Sequence, residues 1–209
     1  MKIQETNLEV KGSFKNRTKT NRVIIHHSDS DTGNAKVING WHLNRGWTGI
    51  GYHFVILPDG IIERGRPEPT IGAHSGAGGN GDSIGVCLIG RFEKYAPTEA
   101  QIKSLLWLIK EYLFPKYGRL KVMGHKDVMA TACPGKNFPW DKLYSSIKED
   151  DEMAVEMKIK INDKIITGFI LKDNLSYAPV RALAEALGAK VYWDEKAKMV
   201  LIQGRVENE

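Results

Sequence analysis

The sequence predicts an α/β fold in which helices flank a mixed central β-sheet, followed by a small ββαββ unit. Three observations support this fold class. Short β-branched runs, typical of buried strands, alternate with segments whose apolar residues recur at helical spacing. A charged stretch divides the chain near residue 150. Beyond that stretch, alternating runs surround one more helical segment.

The first strand is Arg22–His27, a β-branched run that ends in polar, turn-prone residues, so its end is a natural position for a site. The apolar spacing of residues 35–44 predicts a helix, and Gly46 is placed to end it. Residues 52–57 and 61–64 predict a hairpin around a Pro-Asp-Gly turn.

A glycine-rich stretch over residues 72–81 precedes a third apolar run, residues 83–90. The stretch lacks the Gly-Lys-Ser/Thr ending of a phosphate-binding loop, so we expect a mobile surface loop. Thr98 and Gln101 make a capping box, which predicts the start of an amphipathic helix that continues to about Tyr117.

The charged segment is the best linker candidate in the chain. We therefore predict a catalytic domain over residues 1–147, a linker over 148–155 and an accessory domain over 156–205. In the accessory domain, two alternating runs precede a helix that begins at Val180 and a hairpin that turns at residues 194–195. This unit of about 50 residues is near the lower size limit for independent folding.

The composition is that of a globular protein, with 42% hydrophobic residues and a formal net charge of +5. Positive charge favours polyanions, but no recognised nucleic-acid motif is present, so we expect no nucleic-acid partner. There is no signal-peptide core and no apolar run long enough to cross a membrane, so we expect cytoplasmic synthesis without membrane insertion. In that reducing compartment Cys87 and Cys133 are expected to be buried, catalytic or metal-binding, not disulfide-bonded.

Four histidines and one cysteine are candidate metal ligands. They are His26, His27, His53, His125 and Cys133. A catalytic zinc site has three protein ligands and one open position, and a strand-end histidine with His125 and Cys133 would supply such a trio. Strand alternation sends His26 and His27 to opposite faces, and periodicity leaves open which of them faces the site. The alternative is that each histidine is an ordinary core or surface residue.

Several segments in residues 20–140 occur together in one known family. They are Val23-Ile24-Ile25-His26-His27-Ser28, Gly46-Trp47, Gly51-Tyr52-His53-Phe54, residues 60–66, Gly72-Ala73-His74, Asn80, Ser83-Ile84-Gly85-Val86, Gly124-His125-Lys126-Asp127-Val128 and Thr131-Ala132-Cys133-Pro134-Gly135. In this order they resemble the zinc amidases that include peptidoglycan recognition proteins and the T7-type phage lysozyme. Members of that superfamily are N-acetylmuramoyl-L-alanine amidases or their descendants.

The resemblance implies that His26, His125 and Cys133 bind one Zn²⁺ ion, with His27 outside the ligand set. All three ligand types are intact, which favours an enzyme over a relative that only binds peptidoglycan. The resemblance also implies that Tyr52 faces the zinc-bound water or the developing oxyanion, the alternative being an ordinary strand tyrosine. Thr131 falls where the phage relatives carry a catalytic lysine and many peptidoglycan recognition amidases carry threonine, so the resemblance implies a catalytic position.

The resemblance further implies a groove that binds peptidoglycan. Trp47, Arg66, His74 and Asn80 are the candidates: aromatic rings can stack on sugars, and an arginine can pair bidentately with stem-peptide carboxylates. For Trp41, on the apolar face of a helix, core packing is the favoured interpretation. Cys87 stands where some of these amidases carry an acidic residue, and we expect it to be buried.

The accessory domain resembles the copper amine oxidase N-terminal-like, or stalk, domain of bacterial surface proteins. The resemblance rests on Ser176-Tyr177-Ala178-Pro179-Val180-Arg181, residues 184–188 and Val191-Tyr192-Trp193-Asp194. Residues 155–205 contain no histidine or cysteine, so no copper is expected. The expected roles are cell-wall attachment or self-association as a homodimer, and the alternative is a stabilising appendage.

Together these features predict hydrolysis of the bond between N-acetylmuramic acid and L-alanine by a phage or prophage endolysin. Such an enzyme accumulates in the cytoplasm and acts on the wall after release through a pore. Two alternatives remain at this point: a cytoplasmic amidase that recycles wall fragments, and a non-catalytic peptidoglycan-binding protein.

Overall fold

The computed structural model describes most of the 209-residue chain. The described ranges are 1–152, 155–161, 163–170, 176–177, 180–194 and 199–203. The chain divides into two compact units, Met1–Tyr144 and Ser145–Glu209, which are described separately below. Among the described residues, no helix combines the length and apolar character needed to cross a bilayer.

The first unit is built on a six-stranded mixed sheet with the strand order β1-β4-β3-β5-β2-β6. The strands are β1 (Ile3–Gln4), β2 (Arg22–His27), β3 (Phe54–Ile56), β4 (Ile62–Arg64), β5 (Ser83–Leu88) and β6 (Lys121–Gly124). Only β3 and β4 pair antiparallel, as the predicted hairpin. The other neighbours pair in parallel.

The two central strands, β2 and β5, are buried on both faces of the sheet. Every residue of β5 is buried, and Val23–Ile25 of β2 have no exposed surface. Near-continuous β-branched runs are typical of parallel strands covered by helices on both sides. Since β2 and β5 are in register from Arg22 to His27, His26 lies directly beside Cys87.

Helices cover this sheet. They are α1 (Ala35–Asn44), α2 (Gly76–Asn80), α3 (Glu99–Trp107) and α4 (Phe114–Tyr117). A further helix, α5 (Trp140–Glu152), begins in the first unit and continues into the second. The predicted capping box at the start of α3 is confirmed, because Thr98 accepts from the Gln101 backbone N–H and the Gln101 side chain accepts in return from Thr98 N–H. The α/β fold class with a mixed sheet flanked by helices is thus confirmed.

A π-helical segment, Leu108–Leu113, joins α3 to α4 within the predicted single helix. It keeps Leu108, Ile109 and Leu113 buried, and Tyr112 on the same segment donates to Glu68 Oε2 at 2.9 Å. The buried Glu68 carboxylate is also bound by Lys116 and Tyr117 of α4 and by Arg64 of β4. This carboxylate therefore links the π-helical segment and α4 to strand β4.

Two other predicted segments differ from the structure. The glycine-rich stretch is not an irregular surface loop, because it forms the short helix α2 and buries His74, Ser75 and Gly79. The predicted linker, residues 148–155, begins inside α5 and ends at the first residue of the next strand, with residues 153–154 outside the described part.

Beyond the end of α5, the described part of the second unit forms two small sheets and one helix. Its elements are β7 (Val155–Ile161), β8 (Lys164–Ile170), β9 (Ser176–Tyr177), α6 (Val180–Ala186), β10 (Lys190–Asp194) and β11 (Met199–Gln203). The strands β7, β8 and β9 form one antiparallel sheet, and β10 pairs antiparallel with β11. The predicted ββαββ order is confirmed, with β9 as an additional short strand; the predicted turn at residues 194–195 extends outside the described residues.

Candidate active site

The site lies at the carboxyl ends of two neighbouring parallel strands. His26 is near the end of β2, and His125 follows β6 directly. Parallel strands bring their carboxyl ends to the same edge of a sheet, where α/β proteins form their sites. The two imidazole rings accordingly lie with centroids 4.6 Å apart.

A tight loop brings Cys133 to the same edge. The backbone N–H of Lys126 donates to the Cys133 carbonyl at 2.9 Å, which closes the loop that begins at His125. Thr131 Oγ1 accepts from the Cys133 N–H at 3.3 Å, and the His27 N–H donates to Cys133 Sγ at 3.4 Å. These contacts fix both the backbone and the sulfur of Cys133.

His26, His125 and Cys133 present their ligand atoms within 4.8 Å of one another, in the manner of a metal site. His125 Nε2 is buried and has no hydrogen-bond partner within the described ranges. Such an unsatisfied buried nitrogen calls for a ligand. Two imidazoles and a thiol are the donor set that zinc prefers, so the residues present fit that metal.

The ionisation of these three residues also fits metal binding. Burial lowers the pKa of His26 well below its ordinary value, with help from His125 and His27, and burial lowers the pKa of His125 as well. Both rings are therefore neutral near pH 7 and offer lone pairs. Burial raises the pKa of Cys133 to about 11, so a metal that binds this sulfur must displace a proton.

Tyr52 lies against the same group, just before β3. Its ring is 5.0 Å from that of His26 and 5.7 Å from that of His42, between centroids. Burial raises the pKa of Tyr52 well above its ordinary value, and the neighbouring Cys87 and Cys133 thiols act in the same direction. The phenol is therefore protonated at neutral pH and able to donate.

His74 lies behind His26 and not only along the groove where we predicted it. His74 Nδ1 is 3.0 Å from His26 Nε2, and the two rings meet edge to face. The Asn80 side chain in turn accepts from the backbone N–H groups of His74 and Ser75, at 2.8 and 2.9 Å. Both residues therefore support the candidate site from within the fold.

A groove of about 360 Å³ opens beside His125. Its lining residues are Trp47, Ala73, His74, Gly76, Asn80, His125 and Met129. The Trp47 ring stacks on His42 with centroids 4.5 Å apart, yet 38% of the residue remains exposed. Three of the four predicted substrate residues, Trp47, His74 and Asn80, are therefore together.

Arg66 requires a correction, because it is not at this groove. Its Nε donates to the Ile50 carbonyl at 2.7 Å and its Nη1 to the Ile71 carbonyl at 2.6 Å. The guanidinium lies over the Phe14 ring, and the residue is 7% exposed. Bidentate pairing with a stem-peptide carboxylate needs free, accessible donors. The geometry instead makes Arg66 a structural residue that ties loops together.

The structure also decides between His26 and His27. His27 Nδ1 accepts from the Phe92 N–H at 3.1 Å, and its ring packs against Phe92 on the side away from His26. Strand alternation thus leaves only His26 in the group of three. Cys87 has no exposed surface, as expected. His53 is also buried, and its ring is hydrogen-bonded to the Gly85 N–H and to the Thr70 carbonyl.

Sequence reasoning missed three contributors to the site. Asp127 Oδ2 accepts from Gly124 N–H at 2.7 Å, which orients the turn that carries His125. His42 supports Trp47, and Met129 lines the groove with 44% of its surface exposed. Of the three, only Asp127 could have been found from the sequence, because an aspartate two residues after His125 can cap the turn that carries this histidine.

Fold and site together define an α/β domain with a His-His-Cys group at its strand ends. The profile of the family described as N-acetylmuramoyl-L-alanine amidase matches residues 16–136. The chain belongs to this amidase family, and the enzyme class predicted from the sequence is confirmed. A second profile, that of the copper amine oxidase N-terminal domain, matches residues 162–208, as the resemblance of the accessory domain predicted.

Individual proteins give the same result. The chain is 36% identical over 139 residues to the endolysin of Escherichia phage T7, an alignment that covers 62% of this chain and 91% of that one. The amidase LysC of Clostridium intestinale URNW superposes with a TM-score of 0.68 and 36% identity, over 71% of this chain and 98% of its own. Drosophila PGRP-LB superposes with a TM-score of 0.59 and 29% identity, over 70% and 92%.

Proposed function

We propose that the protein is a zinc-dependent endolysin that hydrolyses the amide bond between N-acetylmuramic acid and L-alanine in peptidoglycan. One observation carries the proposal: the ligand atoms of His26, His125 and Cys133 converge within 4.8 Å beside the groove. Relatives that are named endolysins and amidases support the reaction and the setting.

In this proposal His26, His125 and Cys133 hold one Zn²⁺ ion and leave its fourth position for water and substrate. Bound zinc supplies two things, polarisation of the lactyl carbonyl and a lowered pKa for its water. Because one ligand is a thiolate, the centre has a net charge near +1. Hydrogen bonds from the protein to the reacting oxygen are correspondingly important.

Tyr52 is the proposed donor to the oxyanion that develops on the lactyl oxygen. Its raised pKa keeps the proton on the phenol, which can then donate to the substrate. Thr131 is exposed and its oxygen accepts from Cys133 N–H, so its hydroxyl hydrogen is available to the substrate. We propose Tyr52 and Thr131 as the catalytic side chains.

The groove is the proposed binding site for the peptidoglycan substrate. Trp47 offers an exposed aromatic face that can stack on a sugar ring or cover the peptide stem. His74 and Asn80 form part of its floor, with hydrogen bonds that hold the loop in place. We propose Trp47 as the main contact residue of the four predicted from the sequence.

The accessory unit, with the predicted boundaries 156–205, is proposed to attach the enzyme to the cell wall. A wall-attachment unit suits an endolysin that acts after release from the cytoplasm, and it has no evident use in an enzyme for soluble fragments. Self-association through this unit remains the second proposal for it.

The test combines metal analysis with an amine-release assay on intact sacculi and on soluble muropeptides. We expect one zinc per chain, new L-alanine amino termini from sacculi, and loss of both zinc and activity in Cys133→Ser. A preference for soluble muropeptides would favour a wall-recycling amidase. Binding to sacculi without amine release would identify a non-catalytic receptor, and full zinc content in Cys133→Ser would refute the ligand assignment.

A further inference from the structure

A buried line of hydrogen bonds connects a backbone carbonyl to His26. Ser83 Oγ donates to the Gly79 carbonyl. His74 Nε2 is 3.4 Å from Ser83 Oγ, and His74 Nδ1 is 3.0 Å from His26 Nε2. His26 and Ser83 have no exposed surface and His74 is 8% exposed, so water does not compete for these contacts.

The Gly79 carbonyl at one end of this series of hydrogen bonds determines which atom carries the proton in each of the others. A carbonyl oxygen only accepts, so the hydroxyl proton of Ser83 points to Gly79. The Ser83 oxygen is then free to accept, which puts the His74 proton on Nε2 and leaves His74 Nδ1 as an acceptor. His26 must therefore carry its proton on Nε2. Its Nδ1 remains a bare lone pair, 3.8 Å from Cys133 Sγ.

A second hydroxyl agrees with this order of protons. Ser75 Oγ lies 3.1 Å from His74 Nδ1 and can donate to the same lone pair. The Asn80 side chain accepts from the backbone N–H groups of His74 and Ser75, which holds the backbone that carries both side chains. The Ser75 contact is compatible with an unprotonated Nδ1 on His74, because a hydroxyl can donate as well as accept.

Two glycines form a slot for the His74 ring. A Cβ at Gly85, in the middle of β5, would lie 2.5 Å from His74 Cδ2, and a Cβ at Gly72 would collide with the same atom. Real carbon atoms do not approach so closely, so this ring position exists only because both residues lack a side chain. The slot fixes the plane of the imidazole, and within it Nδ1 faces His26.

We propose that His74 is a positioning residue that sets the tautomer of His26, and that Ser83 and the Gly79 carbonyl set that of His74 in turn. The chain delivers the Nδ1 lone pair of His26 to the metal. The proposal rests on the proposed function, since it presumes that His26 binds zinc. It adds a physical reason why His26 presents Nδ1, and not Nε2, to the metal.

The tautomers can be measured directly in the metal-free protein. Long-range ¹H–¹⁵N correlation spectra of uniformly ¹⁵N-labelled full-length chain at neutral pH distinguish a proton on Nδ1 from one on Nε2. We expect the Nε2–H form for both His26 and His74. A proton on Nδ1 of either ring would overturn the proposal, and the measurement needs no variant.

Variants test the consequence for zinc. Ser83→Ala removes the anchor that sets the tautomer of His74, and loss of the hydrogen bond to a metal-binding histidine typically costs about 10-fold to 100-fold in metal affinity. We expect at least about 10-fold weaker zinc binding in a chelator competition. Ser104→Ala is the matched control, because Ser104 is equally buried and its Oγ donates to the Gly60 carbonyl, far along the chain from the site.

Two substitutions at His74 separate positioning from packing. Asparagine can put its oxygen where Nδ1 was and still accept from His26, whereas glutamine puts its amide near Nε2. We expect His74→Asn to keep zinc affinity within a few fold of wild type and His74→Gln to lose about as much as Ser83→Ala. Equal losses for both, or equal zinc affinity of Ser83→Ala and Ser104→Ala, would contradict the proposal.

Cys133→Ser distinguishes the two possible failures. If that variant keeps wild-type zinc content, the proposed metal site itself is wrong. If it loses zinc while Ser83→Ala binds zinc as tightly as Ser104→Ala, the metal site stands and the hydrogen-bonded chain alone is refuted.

Discussion

Acid should destabilise this protein well above the pH at which carboxylates titrate, and His53 provides a measurable part of the effect. Its ring is fully buried, accepts from Gly85 N–H at 3.0 Å and donates to the Thr70 carbonyl at 2.9 Å. Both nitrogens are thus used by the neutral form. Burial lowers the pKa of His53 to about 3, from an ordinary value of 6.5.

The sign and size of the effect follow from proton binding. Between about pH 6.5 and pH 3 the unfolded chain binds a proton at His53 and the native chain does not, so stability falls as the pH falls through this window. From pH 7 to pH 5 the loss is roughly 1.5 pH units at 1.36 kcal/mol per unit, or about 2 kcal/mol. Any native pKa below about 4 gives nearly the same loss at pH 5.

Urea unfolding of the wild type and of His53→Asn, at pH 7 and pH 5 with a chelator present, isolates this contribution. Asparagine keeps an acceptor near Gly85 N–H but does not titrate. We expect the wild type to lose about 2 kcal/mol more than the variant between the two pH values, whatever the variant's own stability. Equal losses would show that native His53 takes up its proton near the ordinary pKa, and would refute the reasoning.

Three further predictions concern other sites. Glu68→Gln should lower the free energy of unfolding by about 3 kcal/mol, because the cationic partners of Glu68 lose a buried counter-charge. Glu5→Gln removes an exposed partner of Arg64 and should change the free energy of unfolding by less than about 1 kcal/mol. Similar urea midpoints for the two variants would contradict this prediction. Trp47→Ala should raise the KM for sacculi by about 10-fold, worth roughly 1.4 kcal/mol, with zinc content unchanged, and an unchanged KM would remove Trp47 from the groove contacts. Gly85→Ala should reduce both thermal stability and zinc affinity, since its Cβ would displace His74; an unaltered zinc affinity would show that the slot adapts.

The elements that the sequence predicts well are those with a strong local pattern. Arg22–His27 is a β-branched run bounded by polar residues, and Thr98 with Gln101 forms a cap that needs no tertiary contact. The strand β1 has only two residues and depends on pairing with β4, so no local pattern marks it. The π-helical segment has no local pattern either, and its Tyr112 bonds Glu68, 44 residues away in sequence.

The site shows the same division. The resemblance named His26, His125 and Cys133 and assigned Tyr52 to their side, and the structure brings all four together. The resemblance could not reveal that Arg66 donates to the Ile50 and Ile71 carbonyls, because only folding brings those carbonyls next to its guanidinium group. For the same reason the partnership of His74 with His26, across 48 residues of sequence, has no linear signature.

Distance along the chain has one more consequence for the metal group. Cys133 and His26 are 107 residues apart, and the segment between them supplies strands β3 to β6 and helices α1 to α4. Bringing His26 and Cys133 together before the strands between them have paired costs the conformational entropy of a long loop, and no other contact then offsets that cost. High-affinity metal uptake should therefore be one of the last events in maturation of a newly made chain, and a zinc probe would report completion of the whole domain.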